Sequence, residues 1–168
     1  FLQKISPLNN VGKINKPKYF TAHEYATITA LANLIIPKDE RSGNASDAGV
    51  PEFIDFMMVD QPDRQLLMRG GIRWLDSECR RRYSQPFVKA TGAQQVEMCD
   101  ALASPSKARP EHSHGVQFFS AVRDLSLTAL IEYARKLRPG HPTDLVSGTQ
   151  VVLRGLARRW LSLDQEVD

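Results

Sequence analysis

The stretch from Lys18 to Val59, KYFTAHEYATITALANLIIPKDERSGNASDAGVPEFIDFMMV, reads as a helix, a sharp stop, a polar loop and a second helix. Thr21 and Glu24 have the T-x-x-E spacing of a capping box, in which the hydroxyl accepts from a first-turn amide and the carboxylate reaches back to the cap residue. Phe20 before the cap and Tyr25 at the fourth helical position are spaced as a hydrophobic staple. From Tyr25 the apolar residues recur at Ile28, Leu31, Ala32 and Ile35, one face of a helix. Pro37 ends the helix, because a residue before proline is pushed out of helical geometry and proline has no amide to donate. After the loop Lys38 to Gly49, Pro51 opens a second helix with Phe53, Ile54, Met57 and Met58 on its apolar side.

Working outward, residues Phe1 to Lys18 hold Pro7, Gly12 and Pro17 and have no period, so they read as an extended N-terminal arm. On the other side, Asp60-Gln61-Pro62 announces a helix from Pro62 to about Tyr83, with Leu66, Leu67, Ile72, Trp74, Leu75 and Cys79 as its apolar members. Gly70 and Gly71 interrupt it at a cost of about 1 kcal/mol each relative to alanine, so they mark either a break or a close approach of another backbone. Arg80, Arg81 and Arg82 in its last turn suit the negative end of the helix dipole and read as a solvated turn. Thr91 and Gln94 form a second capping box, opening a helix with Val96, Cys99 and Leu102 on one side.

Gly115 to about Tyr133 reads as a long helix that buries Val116, Phe119, Val122, Leu125 and Leu130, with Phe118 beside that stripe and free to face a partner. The run Arg138-Pro139-Gly140-His141-Pro142 breaks the chain, and a last helix is expected from about Leu145 to Leu163. Sustained alternation and hairpin turns are missing. The expected fold is therefore all-α: a single compact domain of five or six helices over residues 19–168, with the arm over 1–18.

A chain of 168 residues suits one core. Its 22 basic and 19 acidic residues leave a net charge of +3, too little for a nucleic-acid surface. No apolar run reaches the roughly 18 to 20 residues that span a bilayer, so no direct membrane span is expected. The first residue is Phe1, which fits a cleaved export signal among other origins. For Cys79 and Cys99 two readings stand, buried free thiols or a disulfide in an oxidising compartment. Their 20-residue separation without a C-x-x-C unit disfavours a metal site. His112 and His114 form an H-x-H pair that lacks an H-E-x-x-H unit, and caps or interface roles outweigh metal ligation for them. Nucleotide cradles, nucleophile elbows and c-type haem attachment motifs are missing, which leaves a cofactor-free binding module as the expected class.

The run Phe20-Thr21-x-x-Glu24-Tyr25-Ala26-Thr27-x-Thr29-Ala30-Leu31-Ala32-x-Leu34-Ile35-Ile36-Pro37-x-Asp39-Glu40, followed by Ser42-Gly43, Ala45-Ser46-Asp47-Ala48-Gly49-Val50 and Phe53-Ile54-Asp55, resembles the gluconate 2-dehydrogenase subunit 3 family. Gly70-Gly71, Trp74-Leu75-Asp76, Cys79 and Ser113-His114-Gly115-x-x-Phe118-Phe119 also fit its pattern, so the resemblance covers about Lys18 to Leu127. It departs over Ala129 to Asp168, which lacks the family's later glycine-aromatic segments and its late cysteine; a Cys79–Cys99 bond stays a hypothesis.

The resemblance implies a non-catalytic small subunit that binds and stabilises a large FAD-containing subunit of the glucose-methanol-choline oxidoreductase class. It also implies twin-arginine export with that partner to the periplasm, and a cytochrome c carrying haem as a further partner. Related complexes oxidise gluconate, other sugars or glycosides, some at the sugar 3-hydroxyl. A transient chaperone for the flavoprotein and an independent metal-using helical enzyme are the alternatives. If the chain is such a subunit, Phe20, Tyr25, Phe53, Met57, Met58, Trp74, Phe118 and Phe119 are too many large apolar groups for one small core. Together with His114 they form the expected partner-facing set, with no catalytic, cofactor-binding or metal residue in this chain.

Overall fold

A computed structural model describes residues 16–40, 42–103 and 109–136. The proposed arm apart from its last three residues, and the last helix expected over 145–163, lie outside the described residues. Five α-helices are described: α1 (Ala22–Ile35), α2 (Val50–Asp60), α3 (Gln65–Tyr83), α4 (Gly92–Ala103) and α5 (Ser113–Lys136). Short 3-10 turns at Pro62–Arg64, Phe87–Lys89 and Pro110–His112 lead into or between them. Among the described residues there is no strand, and the all-α expectation holds.

Local chemistry sets most of these boundaries. The Thr21 capping box is closed, with the Glu24 amide donating to Thr21 Oγ1 at 3.3 Å and the Thr21 amide donating to Glu24 Oε2 at 2.9 Å. The second box closes likewise, as Thr91 N donates to Gln94 Oε1 at 3.0 Å. α1 stops at Ile36, whose non-helical backbone (φ −124°, ψ 80°) precedes Pro37 as expected. The loop then folds back, and Asn33 Oδ1 accepts from both the amide and the hydroxyl of Ser46 at 3.0 Å. Gly49 starts α2 in the left-handed region (φ 72°), which a glycine adopts without the steric penalty of a side chain. Pro62 opens a 3-10 turn and α3 itself begins three residues later than expected.

Helix α5 is the axis of the molecule, packed against α1, α2, α3 and α4. Enclosure on so many sides buries more than one stripe: Val116, Phe118, Phe119, Val122, Leu125, Ser126, Ala129 and Leu130 are all inside. The Ser126 hydroxyl is satisfied within the helix by donating to the Val122 carbonyl at 2.8 Å. Around α5 the core takes Ile28 and Leu31 from α1, Ile54 and Met58 from α2, Met68, Ile72 and Leu75 from α3, and Met98 and Leu102 from α4. The buried stripe of α3 is thus Met68, Ile72, Leu75 and Cys79, while Leu66 and Leu67, expected among its apolar members, are 85% and 36% exposed. Val96 of α4, expected beside Cys99 and Leu102, is also exposed.

The two neighbouring glycines of α3 divide the roles expected of them. A Cβ on Gly71 would collide with Phe118 of α5, so at this glycine α3 and α5 come close together. Nothing lies within 4 Å of a Cβ built on Gly70, and the helix runs through both without a break. Gly115 makes a second close approach, to the indole of Trp74.

Candidate functional site

The chain's entry into α1 is held by one carboxylate. Asp55 of α2 is buried, and its Oδ2 accepts from the Lys18 amide at 2.7 Å while Oδ1 accepts from the amides of Tyr19 at 3.1 Å and Phe20 at 2.9 Å. Three donors on one buried carboxylate offset the cost of removing it from water. Arg69 of α3 closes the other side. Its guanidinium carbon lies 4.3 Å from the centre of the Tyr19 ring, Nη2 donates to the Tyr19 carbonyl at 3.2 Å, and Nε is 3.3 Å from Glu24 Oε1. The segment Lys18–Phe20 is thereby clasped between α2 and α3. Beside it, burial and the neighbouring Glu52, which accepts from the phenol, push Tyr25 well above the usual tyrosine range.

A second buried carboxylate, Asp76 of α3, ties three elements together. Its Oδ1 accepts from the Phe87 amide at 3.1 Å, and its Oδ2 is 2.5 Å from His23 Nε2 on α1 and 3.7 Å from Arg80 Nη2. His23 is half exposed, so this is an acid–imidazole pair with one face to solvent.

The third polar cluster carries one of the two histidines of the H-x-H pair. Glu78 accepts from Arg81 (Nε to Oε2 at 2.8 Å, Nη2 to Oε1 at 2.6 Å) and from Arg82 Nε at 2.6 Å. The bidentate bond from Arg81 outweighs burial and, with Arg82, lowers Glu78 to about 2. Arg82 Nη2 lies 3.1 Å from Nε2 of the buried His112. A guanidinium only donates, so Nε2 accepts and the 3.6 Å approach of the same nitrogen to Glu78 is proximity around a shared arginine rather than an ion pair. The His112 ring meets Trp74 edge-on, with centroids 5.7 Å apart. His112 therefore fastens the start of α5 to the end of α3, while His114 is exposed two residues on. Among the described residues no group of three or more His, Cys, Asp or Glu side chains is placed to hold a metal ion. The arginine triplet read as a solvated turn is instead partly tied down through Glu78 and His112.

Of the nine residues expected to face a partner, five lie in the chain's own core. Phe20, Phe53, Met58, Phe118 and Phe119 are each at most 6% exposed, which removes them from any outer face. The error has a physical cause: one helix central to the bundle accommodates more large side chains than a single stripe, and Phe118 fills the space that Gly71 leaves. Tyr25, Met57 and Trp74 are half-buried at the edge of the core, and His114 is exposed. Cys79 and Cys99 are buried free thiols, and burial pushes them up to about 11 and about 12.

What periodicity did not single out is the outward face of α3. Leu66, Gly70, Arg73, Ser77 and Arg80 recur at helical spacing on the side opposite Met68, Ile72, Leu75 and Cys79, and all five are exposed. Among the described residues no helix is long and apolar enough to cross a membrane.

Comparison with known proteins gives a family and nothing nearer. No curated protein and no solved structure matches the chain. The family model described as gluconate 2-dehydrogenase subunit 3 matches residues 22–133, from the first residue of α1 almost to the end of α5 and well over half of the chain. All five described helices fall within or overlap that span. The match over that span shows the family, and the chain belongs to the gluconate 2-dehydrogenase subunit 3 family.

Proposed function

We propose that this chain is the non-catalytic small subunit of a bacterial sugar or glycoside dehydrogenase complex. It binds and stabilises a large FAD-containing subunit of the glucose-methanol-choline class. The observation that carries this reading is the family match over residues 22–133. The polar clusters of the described helices agree with it, because each buried carboxylate or imidazole is used to join elements: Asp55 to Lys18–Phe20, Asp76 to α1 and the Phe87 turn, His112 to Arg82.

In this reading FAD resides in the partner, a cytochrome c takes the electrons onward, and both subunits are exported together to the periplasm by the twin-arginine route. The substrate is gluconate or a related sugar or glycoside oxidised by the partner. The decisive test is co-expression with the flavin-bearing subunit. The expected result is a stable one-to-one complex that oxidises sugar, with no oxidation by the isolated small chain. Turnover by the isolated chain, or flavoprotein of equal yield and activity without it, would overturn the proposal.

A further inference from the structure

The junction between α3 and α5 turns on one nitrogen. His112 ends the Pro110–His112 turn, directly before the first residue of α5, and is 4% exposed. Its Nε2 accepts from Arg82 Nη2 at 3.1 Å, and Glu78 Oε1 stands 3.6 Å from the same atom. That oxygen is already taken by two donors, Arg81 Nη2 and Arg82 Nε, each at 2.6 Å. The charges that α3 brings to the ring are therefore one carboxylate and two guanidiniums. On its own turn, Arg109 and Glu111 are exposed and lie 3.7 Å from each other. Tyr83 lies next to Arg82, with Glu97 of α4 beyond it, and His114 of α5 is exposed. A proton on Nε2 would turn this acceptor into a donor facing a guanidinium, which can only donate. It would also bring a third cation to a single carboxylate, in a place that water scarcely reaches. The ring precedes the first turn of α5, where the helix dipole is positive and a further cation is unfavourable.

We propose that His112 is a proton-operated latch: neutral, it binds Arg82 and holds the start of α5 against α3; protonated, it releases Arg82 and the first turns of α5 come loose. Glu78 stays charged while this happens, because its two arginines hold it at about 2. The change reaches Trp74, which meets the His112 ring edge-on with centroids 5.7 Å apart and closely approaches Gly115. The device does not depend on what the chain assembles with, since every group in it belongs to this chain.

The test scans the intact chain from about pH 8 to about pH 5, the range in which an imidazole ordinarily changes charge. Nitrogen NMR reports which ring nitrogens of His112 carry a proton. Hydrogen-exchange protection factors report on Gln117 to Ser120, the first amides that α5 itself bonds. At the upper end Nε2 is bare and those amides are protected. As His112 takes up its proton, their protection falls by about tenfold or more, while that of Ile28 and Leu31 in α1 is unchanged. The fluorescence of Trp74, read with Trp160→Phe so that it is the only indole, changes in step. His112→Gln keeps an acceptor for Arg82 that takes no proton, so protection in that variant stays level across the scan, and His114→Gln behaves as wild type. Protonation of His112 without loss of protection, no protonation within the scan, or an equal loss in α1 would each overturn the proposal, and none of these readings needs a variant to fold. A response that survives His112→Gln, or vanishes in His114→Gln, would belong to another group and overturn it likewise.

Discussion

Gly71 of α3 and Phe118 of α5 leave no space between them: a Cβ on Gly71 would lie within 3.0 Å of Phe118 Cβ, Cγ and Cδ2. Because Phe118 Cβ is itself among the obstructing atoms, trimming the ring cannot relieve the clash. Gly71→Ala should cost about 3 kcal/mol or more as α3 is pushed from α5, and Gly71→Ala combined with Phe118→Ala should be worse than either alone. The adjacent Gly70→Ala should stabilise the isolated chain by up to about 1 kcal/mol. Urea unfolding of the four variants (Gly71→Ala, Phe118→Ala, the pair combined, and Gly70→Ala) measures this, and equal effects at positions 70 and 71 would contradict the geometry.

Asp55→Asn keeps the shape of the side chain but turns one acceptor oxygen into a donor facing an amide. A loss of about 1–3 kcal/mol is expected, together with faster hydrogen exchange at Lys18, Tyr19 and Phe20. Unchanged protection at those three amides would show that the carboxylate does not hold the segment.

Glu78 gives the fold an acid-sensitive fastening. Its folded value, about 2, lies below the ordinary 4.5, so its contribution to stability is complete above 4.5 and is lost as pH falls toward 2. Glu78→Gln removes the charge at every pH. The variant should be less stable at neutral pH by about 1–2 kcal/mol and should lose less than wild type between pH 4.5 and 2. Parallel stability curves for the two proteins would refute this.

The thiols of Cys79 and Cys99, at about 11 and about 12, are protonated at neutral pH and shielded. Native protein should therefore label slowly with an aromatic disulfide reagent at neutral pH, and two thiols should titrate once the chain is denatured without reductant. Finding none in denaturant would mean that the two had paired.

Ser84 ends α3 in the left-handed region (φ 59°), a conformation that costs a side-chain-bearing residue more than glycine. Ser84→Gly should raise stability by about 0.5–1 kcal/mol, readable as a higher melting temperature, and a fall would mean that the serine side chain holds something at that corner.

What could be read beforehand was local in sequence. Thr21 with Glu24, Thr91 with Gln94, and Pro37 after Ile36 each act across three residues or fewer, so their spacing is their mechanism. The clasp was out of reach because Asp55 is 35 to 37 residues from the amides it holds, and an aspartate near a run of methionines carries no local mark of that task. Phe118, set beside the stripe that rightly held Phe119, was misread for a different reason. Periodicity assigns a direction to a side chain but does not say that α5 is enclosed on several sides, so two adjacent phenylalanines pointing apart can both be inside. Leu66 was misread in reverse: apolar character suggested burial, while the stripe Met68, Ile72, Leu75, Cys79 had already taken the inward side.

The three-amide grip of Asp55 has a mechanical consequence. A pull applied at Lys18 meets three bonds to a single carboxylate of α2 before it reaches the cap of α1. The load passes into α2, a helix braced by α5, instead of unravelling α1 from its cap. A tether attached upstream of Lys18 would thus strain a cleat, not a thread.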